Sequence, residues 1–155
     1  MQVRNASILF ALGLAFGGAM AGEIEGTTVL TNGATNTSVG LASTANQNIG
    51  VAEQNGKLSN SLISATALNN SAIGIASTAT QEVGFVRGNG QVTNSSVIAN
   101  GASNVAAGLG ATAHQMIGGA MGNGKLSNST VIATGSFNTA GGIASNANQS
   151  IGVAK

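Results

Sequence analysis

Apolar or small residues alternate with polar residues along most of this chain. One set occupies every second position from residue 73 onward: Ile73, Ile75, Ser77, Ala79, Gln81, Val83 and Phe85. The same pattern occurs earlier as Val39, Leu41, Ser43, Ala45, Gln47, Ile49 and Val51. Successive side chains of a strand point to opposite faces, so this period of two predicts β-strands. We expect this set to face a core and the residues between them, including Thr80 and Glu82, to face solvent.

The chain also repeats itself with a period of 34 residues. The units 22–60, 61–94, 95–128 and 129–155 align without a gap. The invariant columns are Asn36, Asn70, Asn104 and Asn138; Gly40, Gly74, Gly108 and Gly142; Ala45, Ala79, Ala113 and Ala147; Gln47, Gln81, Gln115 and Gln149; and Gly50, Gly84, Gly118 and Gly152. A helical tetratricopeptide has the same period. The alternation of period two favours strands instead, and two glycines per repeat would cost a helix about 1 kcal/mol each.

Turn residues divide each repeat into a longer and a shorter arc. One corner is predicted at Asn-Gly pairs, which tolerate positive φ, namely Asn55-Gly56, Asn89-Gly90 and Asn123-Gly124. A second corner is predicted near Asn32-Gly33, Ala67-Leu68, Asn100-Gly101 and Thr134-Gly135. One repeat cannot bury its own apolar face, whereas repeats stacked about 4.8 Å apart can. The predicted fold is therefore all-β, a β-solenoid or cross-β stack with one rung per repeat.

Recurring amides in such a stack are expected to form hydrogen-bonded ladders. Side-chain amides on successive rungs can each donate to one neighbour and accept from the other. The inward-facing Gln47, Gln81, Gln115 and Gln149 are the best candidates. Two further columns are assigned to the core ladder, Asn36, Asn70, Asn104 and Asn138, and Asn60, Asn94 and Asn128.

The first 21 residues predict a Sec signal peptide. Arg4 supplies a positive charge, an apolar run follows, and Ala19-Met20-Ala21 fits a small-x-small cleavage pattern. Cleavage between Ala21 and Gly22 would leave 22–155 as a mature chain with no membrane span. The alternative is a retained membrane anchor, but the apolar run is shorter than the about 20 residues that cross a bilayer.

The ends of the predicted mature chain are in phase with the repeat. Gly22 falls in the column of Gly56, and Lys155 falls in the column of Glu53. The end rungs carry the same pattern as the middle ones, and uncapped strand edges pair readily with other chains. We therefore expect head-to-tail stacking, with Lys155 of one copy near the first residues of the next. The expected assembly ends are Gly22, Glu23, Ile24 and Lys155.

The composition leaves little material for catalysis or ligand binding. Five Lys and Arg stand against four Glu, and the chain has no Asp and no Cys. Paired carboxylates, activated nucleophiles and clustered cation ligands are therefore not expected, so we predict no enzyme, no cofactor and no metal. The formal charge of +1 and the scattered basic residues argue against a nucleic-acid partner. The single His, His114, is expected on the outward face.

The mature chain resembles the subunits of bacterial functional amyloids, the curli and Fap-type fibres. The resemblance rests on Asn-, Gln-, Gly-, Ala- and Ser-rich tandem repeats behind a Sec signal, without Cys or Pro. The run from Asn48 to Ala52 is similar to the Gly-Val-Asn repeat of Fap subunits, and Ser43, Gln47 and Gly50 follow the curli style. The period exceeds the curli unit and the long Fap linkers are missing, so a related biofilm or holdfast fibre family fits as well. The resemblance implies an outer-membrane export pore and a nucleator subunit as partners.

Together these features predict a secreted structural subunit that forms an extracellular, amyloid-like homopolymer in a biofilm matrix or in adhesion. The alternative is a non-polymerising secreted β-solenoid that acts as an adhesin or an ice-binding module. An ice-binding face needs a regular threonine array, and Thr44, Thr78 and Thr112 form a column that Asn146 interrupts.

Overall fold

A computed structural model describes residues 22–54 and 56–154 as an all-β solenoid of four rungs, each built from four strands. The first rung contains β1 (Glu23–Glu25), β2 (Thr28–Asn32), β3 (Thr35–Val39) and β4 (Thr44–Ile49). The second contains β5 (Lys57–Ser59), β6 (Leu62–Thr66), β7 (Asn69–Ile73) and β8 (Thr78–Val86). The third contains β9 (Gln91–Thr93), β10 (Ser96–Asn100), β11 (Ser103–Ala107) and β12 (Thr112–Ala120). The fourth contains β13 (Lys125–Ser127), β14 (Thr130–Thr134), β15 (Phe137–Gly141) and β16 (Asn146–Ala154).

Equivalent strands of the four rungs form four parallel sheets. We name them sheet A (β1-β5-β9-β13), sheet B (β2-β6-β10-β14), sheet C (β3-β7-β11-β15) and sheet D (β4-β8-β12-β16). Strand residues of the first three rungs pair with the residue 34 positions further along, as Gln47 does with Gln81 and Gln81 with Gln115. The predicted β-solenoid with one rung per repeat is therefore confirmed. The signal-peptide segment with its cleavage residue Ala21, the turn residue Asn55 and the assembly-end residue Lys155 lie outside the described residues.

The corner between sheets B and C lies where the sequence predicts it. Gly33, Ala67, Gly101 and Gly135 all have positive φ there, between 53° and 71°. A further corner, which the sequence did not predict, lies between sheets A and B at Gly26, Asn60, Asn94 and Asn128. The three asparagines have φ of 45° to 50° and exposed side chains. Their assignment to the core ladder is therefore wrong, because they supply the left-handed conformation that asparagine tolerates.

The Asn-Gly corner also exists, but its glycines serve a different purpose from the predicted one. Positive φ falls on Gln54, Gly88, Gly122 and Asn123. Gly56, Gly90 and Gly124 are instead needed for close packing, since a Cβ on Gly90 would lie 2.1 Å from Val86 Cγ1. The side chain of Asn123 donates a 3.1 Å hydrogen bond to Asn89 Oδ1 on the rung below, so the asparagines of this corner also stack.

The interior divides into two clusters of different character. An aliphatic cluster lies between sheets A, B and the end of D, and includes the fully buried Leu58, Ile63, Val83, Val86 and Val97. A second, thinner cluster lies between sheets C and D and contains only alanines, namely Ala45, Ala72, Ala79, Ala106, Ala111 and Ala113, with Ala140 packed against them. The amide ladders run beside the alanine cluster, so polar side chains fill the space that small residues leave.

The prediction of one uninterrupted inward set was wrong at its first two positions. Val39, Leu41, Ile73 and Ile75 are 73%, 79%, 44% and 51% exposed. The cause is a corner that follows sheet C, where Gly74 has a φ of 145° and Ala76 a φ of 54°. A Cβ on Gly74 would lie 1.7 Å from the carbonyl oxygen of Gly40, so only glycine fits this column. Beyond the corner Ser77, Ala79, Gln81 and Val83 are buried as predicted, but the alternation ends at Gln81, since 82–86 are all buried.

Candidate functional site: the two open ends

The outer edges of the first and fourth rungs are the most distinctive surfaces of the molecule. Each strand of the two middle rungs pairs on both sides, whereas β1–β4 and β13–β16 each pair on one side only within the described part of the chain. Unpaired N–H and C=O groups on a strand edge are a template for another strand. The two edges are opposite sides of equivalent rungs, because the register is the same in all four sheets.

Residues that are buried in the middle of the stack become exposed on the fourth rung. Ile117 has no exposed surface, whereas Ile151 in the same column is 42% exposed. Gln115 and Ala113 are likewise fully buried on the third rung, whereas Gln149 and Ala147 are exposed. The fourth rung thus presents interior side chains on its outer edge.

The glutamine column forms a continuous ladder next to sheet D. Gln81 Nε2 donates to Gln47 Oε1 and Gln115 Nε2 donates to Gln81 Oε1, each at 2.7 Å, and Gln149 Nε2 donates to Gln115 Oε1. The backbone carbonyls of Ala34 and Ala102 accept from Gln47 and Gln115, which fixes each Nε2 on that side. Along the ladder, Gln81, Gln115 and Gln149 therefore donate toward the first rung. Gln81 Nε2 also donates to Ser103 O at 3.2 Å.

The column Asn36, Asn70, Asn104 and Asn138 forms a second ladder, and it runs in the opposite sense. Asn36 Nδ2 donates to Asn70 Oδ1 at 3.0 Å, and the next two steps are 2.8 Å each. Each Nδ2 also donates to backbone carbonyls, as Asn70 does to Thr80 O at 2.8 Å and Ala45 O at 2.9 Å. These asparagines therefore donate toward the fourth rung, and they tie sheet C to sheet D.

Opposite ladder senses give the two ends complementary hydrogen-bonding groups. Within the described residues, Asn36 Oδ1 on the first rung and Gln149 Oε1 on the fourth have no donor. At the opposite ends of the same columns, Asn138 Nδ2 donates to Ala113 O and Asn148 O, and Gln47 Nε2 donates to Ala34 O. Inside the ladder, Asn104 Nδ2 makes the two equivalent backbone bonds and donates to Asn138 Oδ1 as well. A fourth rung placed beneath a first rung would therefore match donor to acceptor in both ladders.

Sheet A carries most of the charge on its outer face. Lys57 Nζ lies 2.9 Å from Glu23 Oε1 on the rung below. The hydrogen bond from Lys57 to Glu23, with the nearby charges of Glu23 and Glu25, raises the pKa of Lys57 above 10.5. The same column continues with Gln91 and Lys125, so no two like charges are adjacent in it.

An ion pair beside sheet D joins a buried carboxylate to a partly exposed arginine, and the sequence did not suggest it. Glu82 was expected to face solvent, but it is fully buried and pairs with Arg87. The chain bends between them at Gly84, which has a φ of 58°. The hydrogen bond to Glu82 raises the pKa of Arg87. Arg87 Nε also lies 4.0 Å from Glu53 on the first rung, so this arginine links two rungs.

A serine column is a further feature that sequence reasoning missed. Ser61, Ser95 and Ser129 follow the corner asparagines, and each hydroxyl donates to a carbonyl two residues earlier at 2.7–2.8 Å. The hydroxyl of Ser95 also accepts a 3.2 Å hydrogen bond from Ser61 N on the preceding rung. The recurring Asn-Ser dipeptide at these corners was the available signal, since Ser commonly stabilises turns in this way.

Elsewhere on the described surface the His and Glu side chains are scattered. In residues 22–54 and 56–154, no three His, Cys, Asp or Glu side chains come close enough to hold a metal ion. The same residues contain no helix that could cross a membrane. Two shallow depressions, one beside Phe85 and Met116 and one beside Leu30 and Ser64, contain no titratable side chain. His114 is half-buried on the outer face of sheet D, within 3.5 Å of Asn148 Nδ2.

The fold defines the described part of this chain as a parallel, in-register β-solenoid of four rungs. No family model matches the chain, and searches of curated proteins and of solved structures found no match. The likeness to curli and Fap-type subunits thus rests on the sequence features alone.

Proposed function

We propose that this protein is a secreted structural subunit that assembles head to tail into an extracellular, amyloid-like fibre. The observation that carries the proposal is the complementarity of the ends. The outer edge of the fourth rung offers a first rung the same backbone register and amide groups that the third rung offers the fourth inside the molecule. Another copy therefore continues every column of the stack.

Burial supplies the driving force for this assembly. Stacking a second copy would bury the exposed Ala147, Gln149 and Ile151 in the environment of Ala113, Gln115 and Ile117. Removal of apolar surface from water contributes about 25 cal/mol per Å², and each new strand pair satisfies its backbone groups. The cost of joining is low because both edges are already ordered as strands.

The composition suits a chain in which each residue would recur at regular intervals along a fibre. The sequence has no Pro, which would remove ladder hydrogen bonds, and only 6% charged residues, which would otherwise repeat as columns of like charge. The predicted signal peptide supports export. An outer-membrane pore and a nucleator subunit belong to the proposal through the resemblance to curli and Fap-type fibres, and the implied setting is a biofilm matrix or an adhesive surface.

The alternative of an ice-binding module receives less support. Its face would be the outer side of sheet D, where Thr44, Thr78 and Thr112 stack on one another. The adjacent column contains His114 among Asn and Thr residues, and the next contains Glu82 and Met116. A regular threonine array is therefore confined to one column. A non-polymerising adhesin remains the alternative that the same assembly experiment tests.

The test is assembly of the purified, processed chain at micromolar concentration, followed by sedimentation and electron microscopy over several days. We expect unbranched filaments. The variant Ala147→Glu places a charge on the stacking edge and should abolish them. Its control is Asn146→Glu, which adds the same charge one residue earlier on the outward face and should still form filaments. A wild-type protein that stays monomeric throughout would contradict the proposal.

A further inference from the structure

The charged column on sheet A has an acidic residue on the first rung and a basic residue on the fourth. It reads Glu23, Lys57, Gln91 and Lys125 from the first rung to the fourth. Inside the molecule Glu23 and Lys57 form an ion pair across one rung step, with 2.9 Å between Nζ and Oε1. Lys125 is exposed, and its neighbour on the rung below is the neutral Gln91.

We propose that the joint between two copies keeps the 34-residue register of the molecule and that Lys125 there binds Glu23 of the next copy. The inference rests on the proposed head-to-tail assembly. In that register the next copy's Glu23 lies one rung above Lys125. Within the chain, Glu23 and Lys57 are also one rung apart, but there the cation is on the upper rung. Each copy thus places its acid between two cations, Lys57 of its own chain and Lys125 of its neighbour.

A packing feature inside the stack independently favours the same register. Gly50, Gly84 and Gly118 each lack a Cβ where a branched side chain of the next rung packs. A Cβ on Gly84 would lie 2.5 Å from Val97, and one on Gly118 would lie 2.5 Å from Val131. Gly152 is the fourth member of this column, and the nearest atom to its Cβ position is 3.8 Å away.

The position that a fourth branched side chain would take against Gly152 is therefore open among the described residues. The side chains that fill the equivalent positions are Ile63, Val97 and Val131, and the first member of their column is Val29. In the proposed joint, Val29 of the next copy takes the open position against Gly152 in the same step that brings its Glu23 to Lys125. One register therefore satisfies the apolar and the ionic contact together.

The charge distribution also selects the polarity of the joint. Two first rungs placed together would oppose the acidic β1 strands, each of which carries Glu23 and Glu25. Two fourth rungs would bring together the β13 strands, each of which carries Lys125. Like charges on facing strands are destabilising. Only the head-to-tail joint pairs an acidic strand with a basic one.

The first experiment compares two variants with the same net charge. Lys125→Gln removes the joint cation, whereas Gln91→Glu changes the total charge by the same amount one rung away from the joint. Seeded elongation is measured at low salt with wild-type seeds prepared from sonicated fibres. We expect Lys125→Gln to elongate about two- to fivefold more slowly than wild type, the range of an exposed ion pair. Gln91→Glu should elongate at least as fast as wild type.

The second experiment inverts the column. The triple variant Glu23→Lys, Lys57→Glu and Lys125→Glu keeps an ion pair inside the molecule and another at its own joint. We expect it to elongate its own seeds at close to the wild-type rate and to elongate wild-type seeds about two- to fivefold more slowly. The penalty should shrink as salt is raised, because these charges are exposed.

The outcomes separate this inference from the proposed function. Equal self-seeding and cross-seeding, or equal rates for Lys125→Gln and Gln91→Glu, would overturn the joint while leaving head-to-tail assembly intact. Failure of the wild-type chain to form any fibre would overturn both. Circular dichroism of each soluble variant checks that its strand content matches that of wild type, so a slow rate reflects the joint.

Discussion

The third and fourth rungs have nearly the same inward residues, but these residues are buried on the third rung and exposed on the fourth. Ala113, Gln115 and Ile117 are fully buried between two neighbouring rungs. Ala147, Gln149 and Ile151 occupy the same columns with a neighbour on one side only, and they are exposed. The fourth-rung side chains are therefore of the kind that the molecule buries between two rungs. The same substitution should therefore destabilise the folded chain on the third rung and impair assembly on the fourth.

The largest contrast is expected from a buried charge. Ala113→Glu places a carboxylate in the alanine cluster without a cation, and should lower the free energy of unfolding by about 3–5 kcal/mol or prevent folding. Ala147→Glu should change it by less than about 0.5 kcal/mol, as for other exposed sites. Chemical denaturation of freshly purified soluble protein measures both. Equal losses at the two sites would show that the fourth rung is not an open edge.

The next contrast concerns the glutamine ladder. Gln115→Leu leaves Gln81 Oε1 and the carbonyl of Ala102 without their donor, and should cost about 1–3 kcal/mol of unfolding free energy. Gln149→Leu removes one ladder bond at an edge that water reaches, so it should cost less than about 0.5 kcal/mol. Its effect should appear in seeded elongation instead. If Gln115→Leu were neutral in denaturation, the ladder would not be a stabilising element.

A smaller contrast is expected where only a methyl group is removed. Ile117→Val leaves a cavity in the aliphatic cluster and should cost about 0.5–1.5 kcal/mol of unfolding free energy. Ile151→Val should cost only a few tenths of a kcal/mol in the soluble chain, since Ile151 is 42% exposed. After assembly, resistance of the fibre to denaturant should fall for both variants by similar amounts. A fibre that is insensitive to Ile151→Val would place that residue outside the joint.

The smallest effect is expected from the ion pair between Glu23 and Lys57. The pair raises the pKa of Lys57 in the folded chain above 10.5, so its contribution is complete below about pH 10.5 and is lost as the pH rises through the raised pKa. Wild type should therefore be slightly more stable than Glu23→Gln at neutral pH, and the two should converge in strong alkali. Denaturation curves at both pH values test this, and a difference that persists in alkali would assign it to another cause.

Much of the fold could be predicted from the sequence because the repeat has no gaps. A constant period of 34 determines which residues share a column. The alternation of inward and outward residues indicates that the columns belong to strands. The Gln47 and Asn36 columns could be recognised because an amide on every rung has an obvious partner above and below it. The corner near Gly33 followed from glycine and asparagine at equivalent positions.

The errors arose where the chain turns without a conspicuous turn sequence. The pattern across Ile73 and Ile75 looks like the start of a strand, but Gly74 and Ala76 form a corner that turns both isoleucines outward. Asn60 recurs on three rungs as a ladder residue would, yet its recurrence reflects a left-handed corner. Glu82 pairs with Arg87 across the bend at Gly84, which alternation along the strand does not reveal.

The central claim is that copies stack head to tail without a break in the rung spacing. Fibre diffraction of aligned filaments, combined with electron cryomicroscopy, measures this most directly. We expect a meridional reflection at about 4.8 Å from the strands and a subunit repeat of about 19 Å along the axis, which equals four such steps. A fibre whose strands run parallel to its axis, or whose subunit repeat is not four rungs, would contradict the account.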